Sequence, residues 1–115
     1  MTCIFCKIIK GELPTTKVYE DDEMIVFKDI APKAPVHVLV VPKIHFASLN
    51  EAKEEKEKLL GKLLLKTRDI AKTLGISKSG YKVIINNGAG SGQVVFHLHL
   101  HLIGGWKEGA KGYIV

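Results

Sequence analysis

Residues 96–103 read FHLHLHLI, that is Phe96-His97-Leu98-His99-Leu100-His101-Leu102-Ile103. The chain has five histidines in 115 residues, and three of them occupy alternate positions of this one apolar run. A period of two is the mark of a strand, because successive side chains point to opposite faces. His97, His99 and His101 then share one face, and Leu98, Leu100 and Leu102 share the other. The leucines account for a strand with one side in a core, but they leave the imidazoles unexplained. A single strand histidine is most often an ordinary hydrogen-bonded residue. Three in register differ: protonating them together would set like charges about 7 Å apart, which disfavours the charged forms. Neutral imidazole is both a metal ligand and a nucleophile.

Two chemistries compete for such a face: a metal held by all three rings, or attack by one ring on phosphorus while the others position the group. The preceding segment, Asn86-Asn87-Gly88-Ala89-Gly90-Ser91-Gly92-Gln93, favours the second. Its small residues, free backbone N–H groups and amide side chains suit a turn that wraps a phosphate. A glycine-rich loop alone is weak evidence, but beside three imidazoles it gains weight.

Strands are predicted over 94–103, with the triad, and over 81–86 (YKVIIN) before the loop. Residues 36–41 (VHVLVV) form another, stopped by Pro42, with His37, Leu39 and Val41 on one face and Val36, Val38 and Val40 on the other. Residues 17–20 and 24–28 are two short strands separated by an acidic turn, and the two-proline loop DIAPKAP follows. A helix is predicted over 51–74, with Leu60, Leu63, Leu64, Thr67, Ile70, Ala71 and Leu74 as its buried stripe and Glu54–Lys58 as a supporting pair. Ser48 and Glu51 have capping-box spacing, with Asn50 a rival cap. CIFCKIIKG reads as a short N-terminal helix ended by Gly11. The tail GGWKEGAKGYIV reads as a terminal arm or a strand on a neighbouring copy. The order is a meander of strands with one long helix inserted, an α+β protein of one domain over residues 1–115.

Composition removes other classes. Apolar residues make up 46% of the chain, enough for a core and too many for wholesale disorder. No apolar run approaches the ~20 residues of a membrane span. The start, MTCIFCKIIKGE, lacks the apolar stretch and cleavage site of a secretory signal, so a cytoplasmic protein is expected. The net charge of +5 suits an anionic small molecule. It is dispersed, with lysines alternating with acids along EAKEEKEK, so nucleic-acid binding is disfavoured.

The stretches CIFCKIIKGE, YEDDEMIVFKDIAPKAPVHVLVVPKIH and GQVVFHLHLHLIGG, in this order, resemble the histidine triad (HIT) family, and its Hint branch in particular. The family pattern of three alternating histidines followed by two apolar residues is complete here. More distant likeness is to the Fhit and galactose-1-phosphate uridylyltransferase branches. The resemblance implies a homodimer whose sheet continues from one subunit to the next. It also implies hydrolysis of purine nucleoside phosphoramidates and related nucleotidyl conjugates, with release of AMP or GMP. His99 would attack the α-phosphorus to form a nucleotidyl-histidine, His101 would contact the α-phosphate, and His97 would orient the site. The fourth family histidine matches His37. Asp29 matches the acid that binds the ribose hydroxyls, while Phe27 and Ile30 match apolar residues around the base. Asn86 and Gln93 match phosphate-side loop residues. No catalytic cofactor is implied. Two departures stand out: Val94 occupies the place of a serine common in Hint relatives, and the C-terminal W-P-P-G of those relatives is absent. Rival readings are a dinucleoside polyphosphate hydrolase of the Fhit kind and a nucleotide-binding interaction module with weak hydrolysis.

The two cysteines, Cys3 and Cys6, have C-x-x-C spacing, which outside an oxidising compartment suggests metal or redox chemistry. A tetrahedral zinc needs two more ligands. In bacterial HIT relatives a matching pair joins a mid-chain histidine and the first triad histidine. The resemblance therefore implies a structural zinc on Cys3, Cys6, His45 and His97. Redox chemistry and a simple pair of unmetallated thiols are the alternatives.

Overall fold

The middle strands of the chain have little polar character because both of their faces are covered. The computed structural model describes residues 3–107. Its five-stranded sheet consists of β1 (Lys17–Glu20), β2 (Met24–Lys28), β3 (Val36–Pro42), β4 (Tyr81–Ile84) and β5 (Leu100–Gly104). All neighbours are antiparallel, in the order β1-β2-β3-β5-β4. One face carries Met24, Val26, Val38, Val40, Leu98, Leu100 and Leu102 into a core completed by α2 (Glu57–Thr73) through Leu63, Ile70 and Ala71. The other face carries Ile25, Phe27, Leu39 and Val41, packed under Phe5 of α1 (Ile4–Ile9). Each fully buried aliphatic side chain contributes about 1.5–3 kcal/mol of burial, so both layers anchor the sheet. The α+β class and the short and long helices are as expected.

The helical segment departs from the uninterrupted helix expected over 51–74. Ser48 caps a 3-10 turn at Leu49–Glu51, its side chain accepting from the Asn50 N–H at 3.2 Å. The chain then leaves helical conformation at Ala52 (ψ 119°), whose side chain packs on the α2 core. A second 3-10 turn, Glu54–Lys56, leads into α2, so Glu54 stands outside the α-helix it was expected to support. Within α2 the stripe narrows. Leu63, Thr67, Ile70 and Ala71 are buried, whereas Leu64 is half exposed. Buried Thr67 is tolerated because its hydroxyl donates to the Leu63 carbonyl at 2.7 Å. No described helix is long and apolar enough to cross a membrane.

The triad segment shows the largest difference. The strand expected over 94–103 is regular only from Leu100, and the one expected over 81–86 stops at Ile84. Partners explain this. The β3 register pairs Val40 with Leu100, and β3 ends two residues later at Pro42, which has no N–H to donate. Leu98 instead donates its N–H to Phe46 O at 2.8 Å. Side-chain alternation nevertheless persists: the three leucines are buried toward α2 and the histidines face the opposite layer. Of the expected terminal arm, residues 108–115 lie outside the described residues.

Candidate active site

The sheet register brings the histidines together. Leu39 pairs with His101 and His37 with Ile103 across β3 and β5, which makes His37 and His101 diagonal neighbours on one face. His37 Nε2 lies 2.9 Å from His101 Nδ1. Next along the chain, the rings of His99 and His101 stand 4.9 Å apart, edge to face.

Hydrogen-bond partners fix the tautomer of each ring. The Lys33 N–H donates to His37 Nδ1 at 2.9 Å, so neutral His37 carries its proton on Nε2. That proton is donated to His101 Nδ1, and His101 therefore carries its own proton on Nε2. His99 donates Nδ1–H to the His97 carbonyl at 2.8 Å, which leaves a bare lone pair on Nε2. His97 donates Nε2–H to Pro42 O at 2.8 Å, which leaves Nδ1 as its lone-pair atom.

All four rings favour the neutral state this scheme requires. Burial pushes the pKa of His37, His97 and His99 down. His101 is pushed down to about 4, first by burial and then by the neighbouring His99 and His37. An imidazole held neutral is a better nucleophile and cannot repel its neighbours.

The rings face a pocket of ≈ 650 Å³. His99, His101 and His37 line one part of it, together with Asn86, Gly92 and Val94 from the glycine-rich loop. Asp29, Lys28 and Lys33 add charge. Phe27 and Leu39 form the floor, and Ile30, almost fully exposed, stands at the rim. Asp29 is held on both sides. Its Oδ1 accepts the Ala31 N–H at 2.8 Å, and its Oδ2 lies 3.4 Å from His37 Nε2. Asp29, His37 and His101 place three donor atoms within 4.8 Å of one another, but the tautomer scheme gives His37 an N–H at that point, so a cation there would have to displace its proton.

The loop contributes through its backbone. Gly88 (φ +90) and Gly92 (φ +97) take conformations other residues rarely adopt, and Gly92 lets the chain border the pocket. Gln93 behaves differently from a pocket residue. It is buried, and its amide is spent on the loop: Nε2 donates to Ala47 O and Val95 O, while Oε1 accepts the Gly88 N–H. It shapes the loop and leaves Asn86 as the amide at the pocket.

Sequence reasoning missed one wall. Ile4, Phe5 and Ile8 of α1, with Leu13 beyond it, line the pocket. Phe5 stands edge-on to Phe27, His97 and His99, at centroid distances of 5.6, 5.8 and 5.0 Å. The i, i+1, i+4 spacing of Ile4, Phe5 and Ile8 marks an apolar helix face, but nothing local says what that face meets.

Behind the triad, Cys3, Cys6, His45 and His97 bring four ligand atoms within 4.8 Å of one another. Cys3 Sγ and Cys6 Sγ lie 3.4 and 3.7 Å from His97 Nδ1, Cys6 Sγ lies 3.5 Å from His45 Nδ1, and the two Nδ1 atoms are 3.0 Å apart. Zinc bonds of about 2.3 Å to sulfur and about 2.05 Å to nitrogen at tetrahedral angles imply S···N near about 3.5 Å and N···N near about 3.3 Å. The residues fit a zinc ion closely, and the lone pair on His97 Nδ1 is already turned toward it. Burial and the adjacent Cys3 push the Cys6 thiol up, a pairing that a bound cation would reverse.

A family model described as the HIT domain matches residues 10–108. The chain belongs to the HIT family. It is 42% identical over 102 residues to the purine nucleoside phosphoramidase of Escherichia coli, covering 89% of this chain and 86% of that one. Among solved structures, a HIT family hydrolase from Legionella pneumophila superposes with a TM-score of 0.90 at 42% identity, covering 92% of this chain and 95% of the other. A Zn-bound histidine triad family protein from Mycobacterium smegmatis superposes with a TM-score of 0.77 at 32% identity, covering 90% of this chain and 75% of that one. In this HIT protein the triad is a set of rings with assigned proton positions, and the metal-fitting cluster shares His97 with it.

Proposed function

We propose that this HIT protein is a nucleotide hydrolase that cleaves purine nucleoside phosphoramidates and related nucleotidyl conjugates at the α-phosphate. The observation that carries the reading is His99. Its Nδ1–H is tied to the His97 carbonyl, and its neutral Nε2 lone pair belongs to a ring that lines the pocket beside Asp29. The phosphoramidase name of the 42%-identical relative agrees with it.

The chemistry follows from the proton positions. His99 Nε2 attacks the α-phosphorus, forming a P–N bond as the bond to the leaving amine breaks. The amine departs with the bonding electron pair and takes a proton from water. A second water attacks phosphorus, His99 leaves as neutral imidazole, and the water's surplus proton passes to solvent, giving AMP or GMP. His101 Nε2–H donates to a phosphoryl oxygen, where donors aimed at developing charge contribute a large share of catalysis. His37 keeps that donor in place. Asp29 accepts from the ribose hydroxyls, Phe27 and Ile30 flank the base, and Asn86 meets the phosphate. Gln93 serves the same phosphate by holding the loop.

Zinc on Cys3, Cys6, His45 and His97 would act as a closed structural ion, tying α1 to the triad segment and holding the His97 ring. β4 ends the sheet and exposes Val83, so a second copy pairing along this edge would continue the sheet as a homodimer.

The deciding experiment is AMP release from adenosine 5′-phosphoramidate, run beside diadenosine tetraphosphate, for wild type and His99→Ala. Phosphoramidate turnover that vanishes in the variant supports the reading. AMP binding without turnover would identify a nucleotide-binding module instead. Activity surviving His99→Ala would overturn the mechanism.

A further inference from the structure

α1 presents different residues to two sites. Cys3 and Cys6 stand together beside His45 and His97, while Ile4, Phe5 and Ile8 line the pocket. Cys3 does two jobs at once: its sulfur caps the helix by accepting the Cys6 N–H at 3.4 Å, and it lies 3.4 Å from His97 Nδ1. Among the described residues the backbone bonds of this segment close within it, from Lys7 N–H to Cys3 O, Lys10 N–H to Cys6 O and Glu12 N–H to Lys7 O. A six-residue helix is far too short to keep its form alone. Its position therefore depends on side chains: Phe5, Ile8 and Ile9 against the outer sheet face, and the cysteine pair at its N-terminus.

We propose that α1 couples the two sites, so that metal at the Cys/His cluster and nucleotide in the pocket each strengthen the binding of the other. A metal bridging Cys3 and Cys6 to His45 and His97 pins the N-terminal turn of α1 to the body of the protein. Pinned, the helix holds Ile4, Phe5 and Ile8 as a preformed apolar wall, the end of the pocket suited to a flat purine ring. Without the metal, nucleotide binding must order that wall as well as fill it, and its affinity falls. By reciprocity, a nucleotide resting on the wall holds both thiols in place and slows metal loss. The proposal rests on the nucleotide reading of the pocket and on zinc at the cluster.

The test uses the full chain, loaded with zinc or stripped with a chelator, and measures AMP affinity by calorimetry in both states. The loaded protein is also challenged with a chromogenic chelator, with and without saturating AMP. Stripping is expected to weaken AMP binding about tenfold, within the usual 5–150-fold range of coupled sites, and AMP is expected to slow zinc transfer severalfold. Ile4→Ala removes a pocket-lining side chain that does not anchor α1 to the sheet, so it should weaken AMP binding, leave zinc affinity without AMP unchanged, and reduce the coupling. If the stripped chain loses its fold by circular dichroism, zinc transfer from the loaded chain decides alone. Equal AMP affinity in both states, or zinc transfer indifferent to AMP, overturns the coupling while leaving the nucleotide reading intact. Coupling unchanged in Ile4→Ala would route it through the triad strand instead of the α1 wall, which also overturns it. A chain that takes no zinc at this cluster removes its basis. A zinc-loaded chain that binds no AMP fails the nucleotide reading itself, and the coupling with it.

Discussion

Replacing His37 with alanine tests the proton scheme most directly, because His37 has no role as nucleophile. Its side chain is 3% exposed and joins two partners, accepting from the Lys33 N–H and donating to His101 Nδ1. Truncation leaves the Lys33 N–H in an exposed loop, where water can replace the lost acceptor. His101 Nδ1 is less accessible and loses its donor outright, a cost of about 1–3 kcal/mol for an unsatisfied buried group. The larger effect is functional. Freed from His37, His101 can place its proton on Nδ1 and turn a lone pair toward the phosphate. A hydrogen bond to a charged group contributes about 1.5–3 kcal/mol, so its loss from the transition state lowers kcat/KM by about 10–150-fold. The assay is AMP release from adenosine 5′-phosphoramidate, with kcat and KM resolved separately and most of the loss expected in kcat. His37→Gln, which keeps an N–H donor, should recover part of it. Nitrogen NMR of the ring should show His101 as the Nε2–H tautomer in wild type and a mixture in the variant. A folded His37→Ala protein with kcat/KM within twofold of wild type, or wild-type His101 protonated on Nδ1, would refute the reasoning.

Other expectations follow from the same geometry. His101 titrates near about 4 in the fold against 6.5 for the free group, so the unfolded chain binds the extra proton first. Its contribution to stability is complete above pH 6.5 and drains as pH falls toward about 4, by up to about 3 kcal/mol, which urea midpoints at pH 7.5 and 4.5 will show. The neutral nucleophile obeys the same sign, so the acid limb of kcat/KM should lie below pH 6.5. Val94 is highly exposed at the pocket, so Val94→Ser should change stability by less than about 0.5 kcal/mol while altering turnover severalfold between amine leaving groups, measured by melting and by steady-state rates. Leu63 of α2 is fully buried against the sheet face away from the pocket. Leu63→Ala should cost about 2–5 kcal/mol in denaturant unfolding and leave AMP affinity unchanged.

Much of the local structure was legible. β1 and β2 lie where expected, because each is a short run of strand formers bounded by polar turns. The faces of β3 were also legible: Leu39 and Val41 go to one layer and Val38 and Val40 to the other, as period-two geometry demands. What failed depended on partners. The triad strand begins late because its neighbour ends at Pro42. Leu64 is exposed because helical periodicity gives a stripe but not its width. Gln93 turns inward because two carbonyls and an N–H from other parts of the loop region claim its amide.

By itself the sequence determined that three imidazoles share one face opposite three leucines, since alternation is a property of the local backbone. It also determined the kinds of chemistry available, since imidazoles, thiols and carboxylates are written in it directly. Only the three-dimensional structure decided which ring nitrogen holds each proton. His37 answers to Lys33 within its own turn, but His97 answers to Pro42 and His101 to His37, partners that meet only when separate strands pack together. It alone gathered Cys3, Cys6, His45 and His97 within 4.8 Å and set α1 between that cluster and the pocket. Periodicity propagates along a chain; a hydrogen-bond partner or a ligand set is chosen across it.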